Sequence, residues 1–554
     1  MPVRLGNLRH LQTLTKFIVG KQSRAGIEEL GNLANLGGKL CISSLQNVVS
    51  PIHALAASLN DKKHLEELNL EWNDENNTSE SQRAVLDNLK PHANLKSLSI
   101  IGYGGKKISD WIGHHSISNI ASLYLFKCKY CSVLPPLGLL PSLQSLSIVQ
   151  FDGIDEVGRE FYGNCSSSKK PFGALKVLKF RDMPKLEKWF AFGAENEGGA
   201  FTYLEELQIV NCPKFTGELP IHPSSLSRLV IVECPLLVTS LPSAATLRQL
   251  EIGGFDALES IPERLMDFNN SCLEELKISG CHSLTSLSSA GLPSTLKRLE
   301  IKDFSKLELP MHWNYSSVER LQLENSCDSL ESISLNLFPN LKYIFIRGCR
   351  NLEPINVSQQ LELDLVALSS IEISNCPNFV SFPNGGLRAP KLQHFHVFNC
   401  QSLTSLPDKM HILLPSLRRL RLVNCPEVES FPEGGLPSKL TFIGIINCDK
   451  LFDNRRDWGL QNRPSIRDIS IKGNCKDVDS FPEAGLLPTS LLCISIGDFP
   501  NMVSLDYKAL RHLTSLAELS ICSCPKLKFM QEEGLPASIS TLRISKCALT
   551  KLQV

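Results

Sequence analysis

Apolar residues recur along this chain in one spacing, L-x-x-L-x-I-x-x-C-P-x-L, where x is mostly polar. Clear copies begin at six leucines, Leu204, Leu226, Leu273, Leu368, Leu417 and Leu516. Weaker copies fill the intervals from Leu65 onward, at about 25 residues per step. A fixed period of roughly 20 to 29 residues with this consensus is typical of leucine-rich repeats. The chain is therefore predicted to be a repeat array rather than a string of unrelated domains.

Within each unit the x-L-x-I-x segment alternates polar and apolar residues, which predicts a short strand with one face buried. Stacked copies make a parallel sheet. Gly- and Pro-rich turns separate the strands, for example at 382–392, 431–440 and 290–296, and they are too broken for long helices. The predicted fold class is α/β: a leucine-rich-repeat solenoid, a curved horseshoe or arc. It has a parallel sheet on its concave face and irregular loops with short helical turns on its convex face.

A single repeat buries too few large apolar side chains to offset the conformational entropy of its residues. Neighbouring repeats must share a core, so we expect one continuous array. Residues 1–64 are predicted to be degenerate N-terminal repeats whose first unit begins mid-repeat, and residues 65–554 about twenty repeats. The end of the sequence shows no evident cap, which suggests a fragment or a truncated product.

Composition narrows the classes of function. The chain has 57 basic and 57 acidic residues, a balance that argues against nucleic acid as a partner. No apolar run approaches the roughly 18 residues of a membrane span, and charged residues interrupt any signal peptide near the start. A cytoplasmic protein is expected.

Eleven of the nineteen cysteines lie three residues after the Ile position of the unit: Cys128, Cys212, Cys234, Cys281, Cys349, Cys376, Cys400, Cys425, Cys448, Cys524 and Cys547. Leucine-rich repeats place a small inward-turning Asn or Cys there. Cys128 and Cys131 have C-x-x-C spacing, but no second pair at zinc-site distance accompanies them. We therefore predict reduced cysteines that pack the core, with neither metal nor disulfide.

No catalytic motif emerges from the chain. Residues 102–107 combine glycine and lysine without the spacing of a phosphate-binding loop. The histidines, such as His114 and His115, have no recurring nucleophile or carboxylate beside them. We predict a protein that is not an enzyme and has no cofactor.

Several ordered strings resemble the first repeats of plant coiled-coil nucleotide-binding leucine-rich-repeat (NBS-LRR) disease resistance proteins. They are LGNLRHLQTLTKFIVGK (5–21), KKHLEELNLEW (62–72), AVLDNLKPHANLKSLSIIGYGG (84–105), CKYCSVLPPLGLLPSLQSLSI (128–148) and FRDMPKLEKW (180–189). The resemblance implies protein partners of two kinds: a pathogen effector or the host protein it alters, and a nucleotide-binding switch domain that the repeats restrain. This chain has no phosphate loop or Met-His-Asp motif, so that switch domain lies outside it.

Two other classes of protein stay open. One is a cytosolic repeat scaffold or ubiquitin-ligase substrate adaptor, whose repeats typically carry an I-T-D-x-G-L loop, whereas the loops here run to S-L-P or S-F-P. The other is a secreted repeat inhibitor, which would have G-x-I-P loops and cysteine caps. The loop sequences favour a receptor region for plant defence.

Polar and aromatic residues that flank the Ile position of the unit are the candidates for partner binding. In four successive units these are Phe345, Arg347, Glu372, His396, Phe398 and Arg421. Strand spacing of about 4.8 Å would spread four units over roughly 14 Å, which makes one patch. Aromatic and Arg residues are enriched in interface hot spots. Tyr124 and Phe126 are the alternative site.

Overall fold

A computed structural model describes residues 4–21, 25–73, 80–163, 170–192, 199–220, 225–237, 246–256, 259, 261, 272–287, 292–304, 315–326, 335–352, 365–382, 384–473, 475, 477–527, 529–531, 534–548 and 551–553. The chain forms two compact units, Met1–Ser283 (unit 1) and Leu284–Val554 (unit 2). Each unit is built on parallel strands, as the repeat pattern predicts. Whether residues 65–554 form one continuous array stays a prediction.

Unit 1 contains thirteen strands among its described residues. Their bounds are Lys16–Ile18 (β1), Gly37–Ser43 (β2), His64–Glu71 (β3), Ser97–Ile101 (β4), Ser122–Phe126 (β5), Ser145–Val149 (β6), Glu156–Val157 (β7), Val177–Arg181 (β8), Lys188–Trp189 (β9), Glu206–Val210 (β10), Arg228–Val232 (β11), Gln249–Gly253 (β12) and Glu275–Ser279 (β13). All but β7 and β9 lie in one parallel sheet in chain order, and β7 pairs with β9 alone.

Unit 2 contains fifteen strands in its described part. Their bounds are Arg298–Phe304 (β14), Arg320–Ser326 (β15), Tyr343–Arg347 (β16), Ser370–Ser374 (β17), His394–Phe398 (β18), Arg419–Val423 (β19), Phe442–Ile446 (β20), Asp468–Lys472 (β21), Ser480–Phe481 (β22), Cys493–Gly497 (β23), Ser504–Leu505 (β24), Glu518–Cys522 (β25), Phe529–Gln531 (β26), Thr541–Ser545 (β27) and Lys551–Gln553 (β28). Two short parallel pairs, β22 with β24 and β26 with β28, accompany the main sheet.

Helices are short, as the broken loop sequences predict. The α-helices in the described residues are Pro51–Ala56 (α1), Glu80–Asp87 (α2), Met410–Leu413 (α3), Asp449–Asp453 (α4) and Tyr507–Arg511 (α5). Other loops contain short 3₁₀ segments, such as Ile27–Leu30 and Arg159–Tyr162. No described helix is long and apolar enough to cross a membrane.

The strands alternate between core and surface with the period of two expected from the sequence. In β18, Phe395 and Val397 are fully buried, whereas His394, His396 and Phe398 are half-buried on the opposite face. Leucine-type positions also align from strand to strand, so that Phe395 pairs with Leu420 of β19. Each buried residue therefore packs against its counterpart in the next repeat, which joins the repeats into a common core within each unit.

An asparagine follows several strands of unit 2 and leaves each strand in the left-handed conformation. Asn375, Asn399, Asn424 and Asn447 have φ of +55°, +53°, +53° and +52°. Their side chains form a ladder in which each Nδ2 donates to the preceding Oδ1, at 2.7, 2.5 and 2.7 Å. Asparagine tolerates this conformation better than most side chains, and here it also ties adjacent repeats together.

The cysteines in the repeat register turn towards the core. Ten of the eleven cysteines in this register are buried, Cys547 is half-buried, and all eleven are free thiols. The Cys400 Sγ donates to the carbonyl of Phe398 at 3.5 Å, and Cys376 bonds Ser374 in the same way at 3.3 Å. Burial raises the pKa of the Cys524 thiol to about 11, which keeps it protonated. These thiols therefore pack as small apolar groups with a weak donor.

The C-x-x-C pair also has a packing role. The Sγ of Cys131 donates to the carbonyl of Gly105 at 3.1 Å, and both Cys128 and Cys131 are fully buried. Over the described part of the chain, no group of three or more His, Cys, Asp or Glu side chains could hold a metal ion.

Lys62 is a charged side chain that sequence reasoning did not single out, and it is fully buried in unit 1. Its Nζ donates to the carbonyls of Leu30 and Leu33 at 2.7 and 3.1 Å. These carbonyls close the turn that ends the preceding 3₁₀ segment, so the lysine joins two repeats. Burial lowers the pKa of Lys62 to about 8, and Asp61 opposes this shift.

Replacing Lys62 by methionine is expected to change how stability depends on pH. Below about pH 8 the ammonium is charged in both the folded and the unfolded chain. Between pH 8 and the ordinary value of 10.5, the unfolded chain binds more protons at Lys62, so the wild type gains stability relative to Lys62→Met. We expect the difference between the two melting temperatures to move in favour of the wild type over this interval. The exposed neighbour supplies the control, Lys63→Met, which should show no such trend. A difference that stays constant from pH 7 to 10.5 would contradict the assignment.

Candidate recognition surface

The strand residues that point away from the core form three rows on one face of the unit 2 sheet, the exposed face. Register places Phe345, Glu372, His396 and Arg421 in the middle row on the adjacent strands β16 to β19. The third row contains Arg347, Ser374, Phe398 and Val423 on the same strands. The six candidate residues thus lie together on one face, with Ser374 between Arg347 and Phe398. We call these six residues the central patch.

Arg347 lies at one edge of the central patch and projects into solvent, with 61% of its side chain exposed. Its guanidinium is 3.8 Å from the carboxylate of Glu324 on β15. That carboxylate also lies 3.7 Å from the Lys302 ammonium of β14. An exposed ion pair of this kind contributes little stability.

Glu372 is half-buried in the middle row and has cations on two sides. Desolvation raises the pKa of this carboxyl, and the positive charges of Arg347 and Arg421 oppose the rise. The two arginines therefore stabilise the carboxylate in a partly dehydrated position. Glu372 is the one acidic residue of the central patch, whose other members are basic or aromatic.

His396 lies between Glu372 and Arg421 in the middle row. Its ring centroid is 5.9 Å from that of Phe398 and 6.1 Å from that of His394. Desolvation, together with the charges of His394, Arg421 and Arg419, lowers the pKa of His396 to about 4. The imidazole is consequently neutral near pH 7 and serves as an aromatic and hydrogen-bonding group.

Arginine side chains lie over aromatic rings along this face. The Arg421 guanidinium is 5.7 Å from the Phe398 ring centroid, and that of Arg419 is 5.2 Å from the Phe442 ring centroid. On β15 and β16 the Arg320 guanidinium lies 4.8 Å from the centroid of Tyr343. Each contact holds a long cationic side chain against a ring by cation–π attraction.

The first row of the exposed face was missed by sequence reasoning. It includes Arg320, Tyr343, His394, Arg419 and Phe442, in register on β15, β16, β18, β19 and β20. The signal was present, because residues two positions apart in a strand share a face. In L-R-R-L-R-L, the arginine before the second leucine therefore lies on the same side as the arginine after it.

Further along the middle row the side chains become small. Gly444 of β20 follows Arg421, and Ser470, Ser495 and Ser520 continue the row on β21, β23 and β25. A Cβ at Gly444 would lie 3.2 Å from both Arg421 Cγ and the Phe442 ring. The absence of a side chain at Gly444 thus leaves room for the two side chains beside it.

The alternative site lies in unit 1 on β5. Tyr124 and Phe126 stack with ring centroids 5.7 Å apart and an interplanar angle of 15°. Burial raises the pKa of Tyr124. Its neighbours in register are Ser99 and Ser147, while Ile101 and Val149 flank Phe126. This surface is apolar on one row and small and polar on the next, unlike the basic central patch.

Parallel strands in register, inward cysteines and a face of exposed aromatic and charged side chains define a leucine-rich-repeat recognition region. The family model described as R13L1/DRL21 leucine-rich repeats matches residues 27–151. A disease resistance protein of Arabidopsis thaliana is 29% identical, and the alignment covers 98% of this chain and 51% of that protein. The disease resistance RPP13-like protein 1 of the same plant is 36% identical over 53% of this chain and 30% of its own length.

The chain is similar to the leucine-rich-repeat regions of plant NBS-LRR disease resistance proteins. It spans about half the length of the first of these relatives and less than a third of the second. The family model and the relatives indicate a non-enzymatic recognition region. Among solved structures, the circular leucine-rich-repeat protein CroV588 aligns with 96% of this chain and 75% of its own, at 15% identity and a TM-score of 0.49.

Proposed function

We propose that this chain is the recognition region of a cytoplasmic plant immune receptor and that the central patch binds the protein it senses. The partner is a pathogen effector or a host protein that an effector has altered. The observation that carries the proposal is the register of β16 to β19, which groups two phenylalanines and two arginines on one face. Phenylalanine and arginine supply large contact areas and directed hydrogen bonds, and such groups dominate binding energy in many interfaces.

The second part of the proposed function concerns the receptor itself. The repeats restrain a nucleotide-binding switch domain in the resting state, and partner binding at the central patch releases that restraint. Support comes from the relatives, which are disease resistance proteins about twice to three times longer than the aligned region. A footprint of about 800 Å² per side exceeds the central patch, so repeats on either side would take part in recognition.

Simultaneous alanine replacement of Phe345, Arg347, Phe398 and Arg421 is expected to abolish recognition. The chain, joined to a nucleotide-binding domain of its own type, would be expressed in leaf tissue together with a library of secreted pathogen effectors. Effectors that trigger cell death through the wild-type repeats should fail with the quadruple variant. The four side chains are surface groups, so the melting temperature of the purified variant should stay close to that of the wild type.

The matched control alters the same face at a distance from the central patch. Ser470→Ala, Ser495→Ala and Ser520→Ala, combined in one chain, should leave effector-triggered cell death intact. Unchanged recognition by the folded quadruple variant would contradict the proposal. The double variant Tyr124→Ala/Phe126→Ala would then test the alternative site.

A further inference from the structure

Basic side chains on the exposed face of unit 1 are paired with carboxylates. The ammonium of Lys179 is 3.2 Å from Glu206, whose carboxylate also lies 3.9 Å from Arg228. Arg228 continues the chain of charges to Glu251 at 3.8 Å. Lys179 and Arg228 thus already have internal counter-ions, which reduces their capacity to attract an acidic partner.

Strand β19 of unit 2 is different. Arg419 and Arg421 are exposed, and no carboxylate in the described part of the chain lies within ion-pair distance of either guanidinium. Their contacts are with rings: Arg419 with Phe442 and Arg421 with Phe398. The two arginines are therefore held in place without being neutralised.

This arrangement favours anion recognition for two reasons. A guanidinium that lies on a ring uses its face for the cation–π contact, which leaves its N–H edge available to bind a carboxylate with two parallel hydrogen bonds. The ring also restricts the long side chain before binding, so less conformational entropy is lost when the ligand arrives. Arg419 and Arg421 are two residues apart on one strand, so they project from the same face at a spacing of roughly 7 Å.

Glu372 limits the positive charge of this region from within. It lies two strands from Arg421 in the same row, with His396 between them. The guanidinium charge of Arg421 reaches this carboxyl, because it opposes the rise in the pKa of Glu372 that burial causes. The carboxylate of Glu372 thus partly offsets the field that an incoming acidic group would experience.

The residues that continue the middle row beyond Arg421 are small. In the middle row Gly444 follows Arg421 and Ser470 follows Gly444, whereas in the first row the Phe442 ring lies next to Arg419. Across the whole chain the charges balance, with 57 basic and 57 acidic residues, so any attraction for acidic ligands has to be local.

We propose that Arg419 and Arg421 bind the carboxylates of an extended acidic segment of a partner protein, with acidic residues at alternate positions. Alternate residues of an extended chain are separated by about 7 Å, which matches the spacing of the two arginines. This inference rests on the proposed function and extends it, since it identifies the chemical groups of the partner that bind the exposed face of unit 2. The carboxylates bind the guanidinium edges, and the backbone of the segment runs along β19.

The test uses the whole chain and a synthetic peptide of alternating glutamate and serine with a fluorescent label. We expect saturable binding at low salt that weakens as salt rises. A peptide with glutamine at every glutamate position should bind at least about tenfold more weakly, because charge-assisted hydrogen bonds are lost. A peptide of alternating phosphoserine and alanine is measured as well, to compare phosphate with carboxylate as the ligand. Tighter binding of that peptide than of the glutamate peptide would overturn the carboxylate assignment in favour of phosphate.

Four variants test which side chains contribute to binding of the glutamate peptide. The charge-removing pair Arg419→Gln/Arg421→Gln should weaken binding of the glutamate peptide at least about tenfold. The pair Arg419→Lys/Arg421→Lys retains the charge but not the planar fork, so it should bind with intermediate affinity. Glu372→Gln should strengthen binding about two- to threefold, because it removes the internal carboxylate. Arg228→Gln in unit 1 is the matched control and should bind as the wild type does.

Absence of glutamate-peptide binding by the wild type, or unchanged binding by Arg419→Gln/Arg421→Gln, would overturn the inference. Either result would leave the proposed function standing if the quadruple alanine variant still loses recognition. Conversely, loss of peptide binding in Arg419→Gln/Arg421→Gln together with full recognition by the quadruple variant would retain the carboxylate site and contradict the proposed function. The two claims can therefore fail separately.

Discussion

Replacement of Phe201 by alanine is expected to destabilise the surrounding repeats of unit 1 by about 3–5 kcal/mol. Phe201 is fully buried and stacks on Phe172 with ring centroids 4.8 Å apart and an interplanar angle of 18°. It also meets the rings of Trp189 and Tyr162 edge-on, at 5.5 and 5.9 Å. Alanine would leave a cavity that these rings are too rigid to fill, so both the transfer energy and the packing contacts would be lost.

Hydrogen exchange followed by mass spectrometry is the appropriate measurement for this effect. A long repeat array does not unfold in one cooperative step, whereas exchange reports the opening of individual segments. Amides of β8 and β10 should exchange faster in Phe201→Ala. The control is Tyr203→Ala, since Tyr203 lies two residues away with 60% exposure and its replacement should cost no more than about 0.5 kcal/mol. Equal protection in the Phe201→Ala and Tyr203→Ala variants would contradict the packing account.

The asparagine ladder of unit 2 should also be sensitive to a single replacement. We expect Asn424→Ala to cost about 2 kcal/mol, for two reasons. The backbone there has a φ of +53°, which alanine adopts at a cost of roughly 1 kcal/mol or more. Its side chain also donates to Asn399 and accepts from Asn447, and each such bond contributes about 0.5–1.5 kcal/mol.

Comparison with glycine separates these two contributions. Asn424→Gly removes the same side-chain hydrogen bonds but readily adopts positive φ, so it should cost roughly half as much as alanine. Hydrogen exchange of β19 and β20 would measure both variants. If glycine were as damaging as alanine, the backbone conformation would carry none of the effect. If neither variant changed protection, the ladder would have no role in holding adjacent repeats together.

Local sequence determined the strands and the cysteine positions. Apolar residues at alternate positions specify which side of a strand is buried, and that choice needs only a nearby core. Phe395 and Val397 on one side and His394, His396 and Phe398 on the other follow from this rule alone. The fixed register of the repeat likewise placed Cys376 and Cys400 at inward-turning points.

Sequence also grouped the six residues of the central patch, because a constant repeat brings equivalent positions onto neighbouring strands. It did not reveal which side chains contact one another. The stacking of Arg419 on Phe442 joins residues of different repeats, and it depends on the direction that each long side chain takes. Position in the repeat gives no information on that direction.

The burial of Lys62 was decided by tertiary structure in the same sense. A lysine next to a second lysine has the sequence signature of a solvated loop, and Lys63 is indeed exposed. Lys62 enters the core only because two carbonyls of the preceding repeat, those of Leu30 and Leu33, lie within reach of its ammonium. Alternation and repeat spacing are local properties, so the sequence alone determined the strands, their buried faces and the inward cysteines. The partners of long polar side chains depend on where loops of unequal length place distant backbone atoms, and only the folded chain decided those contacts.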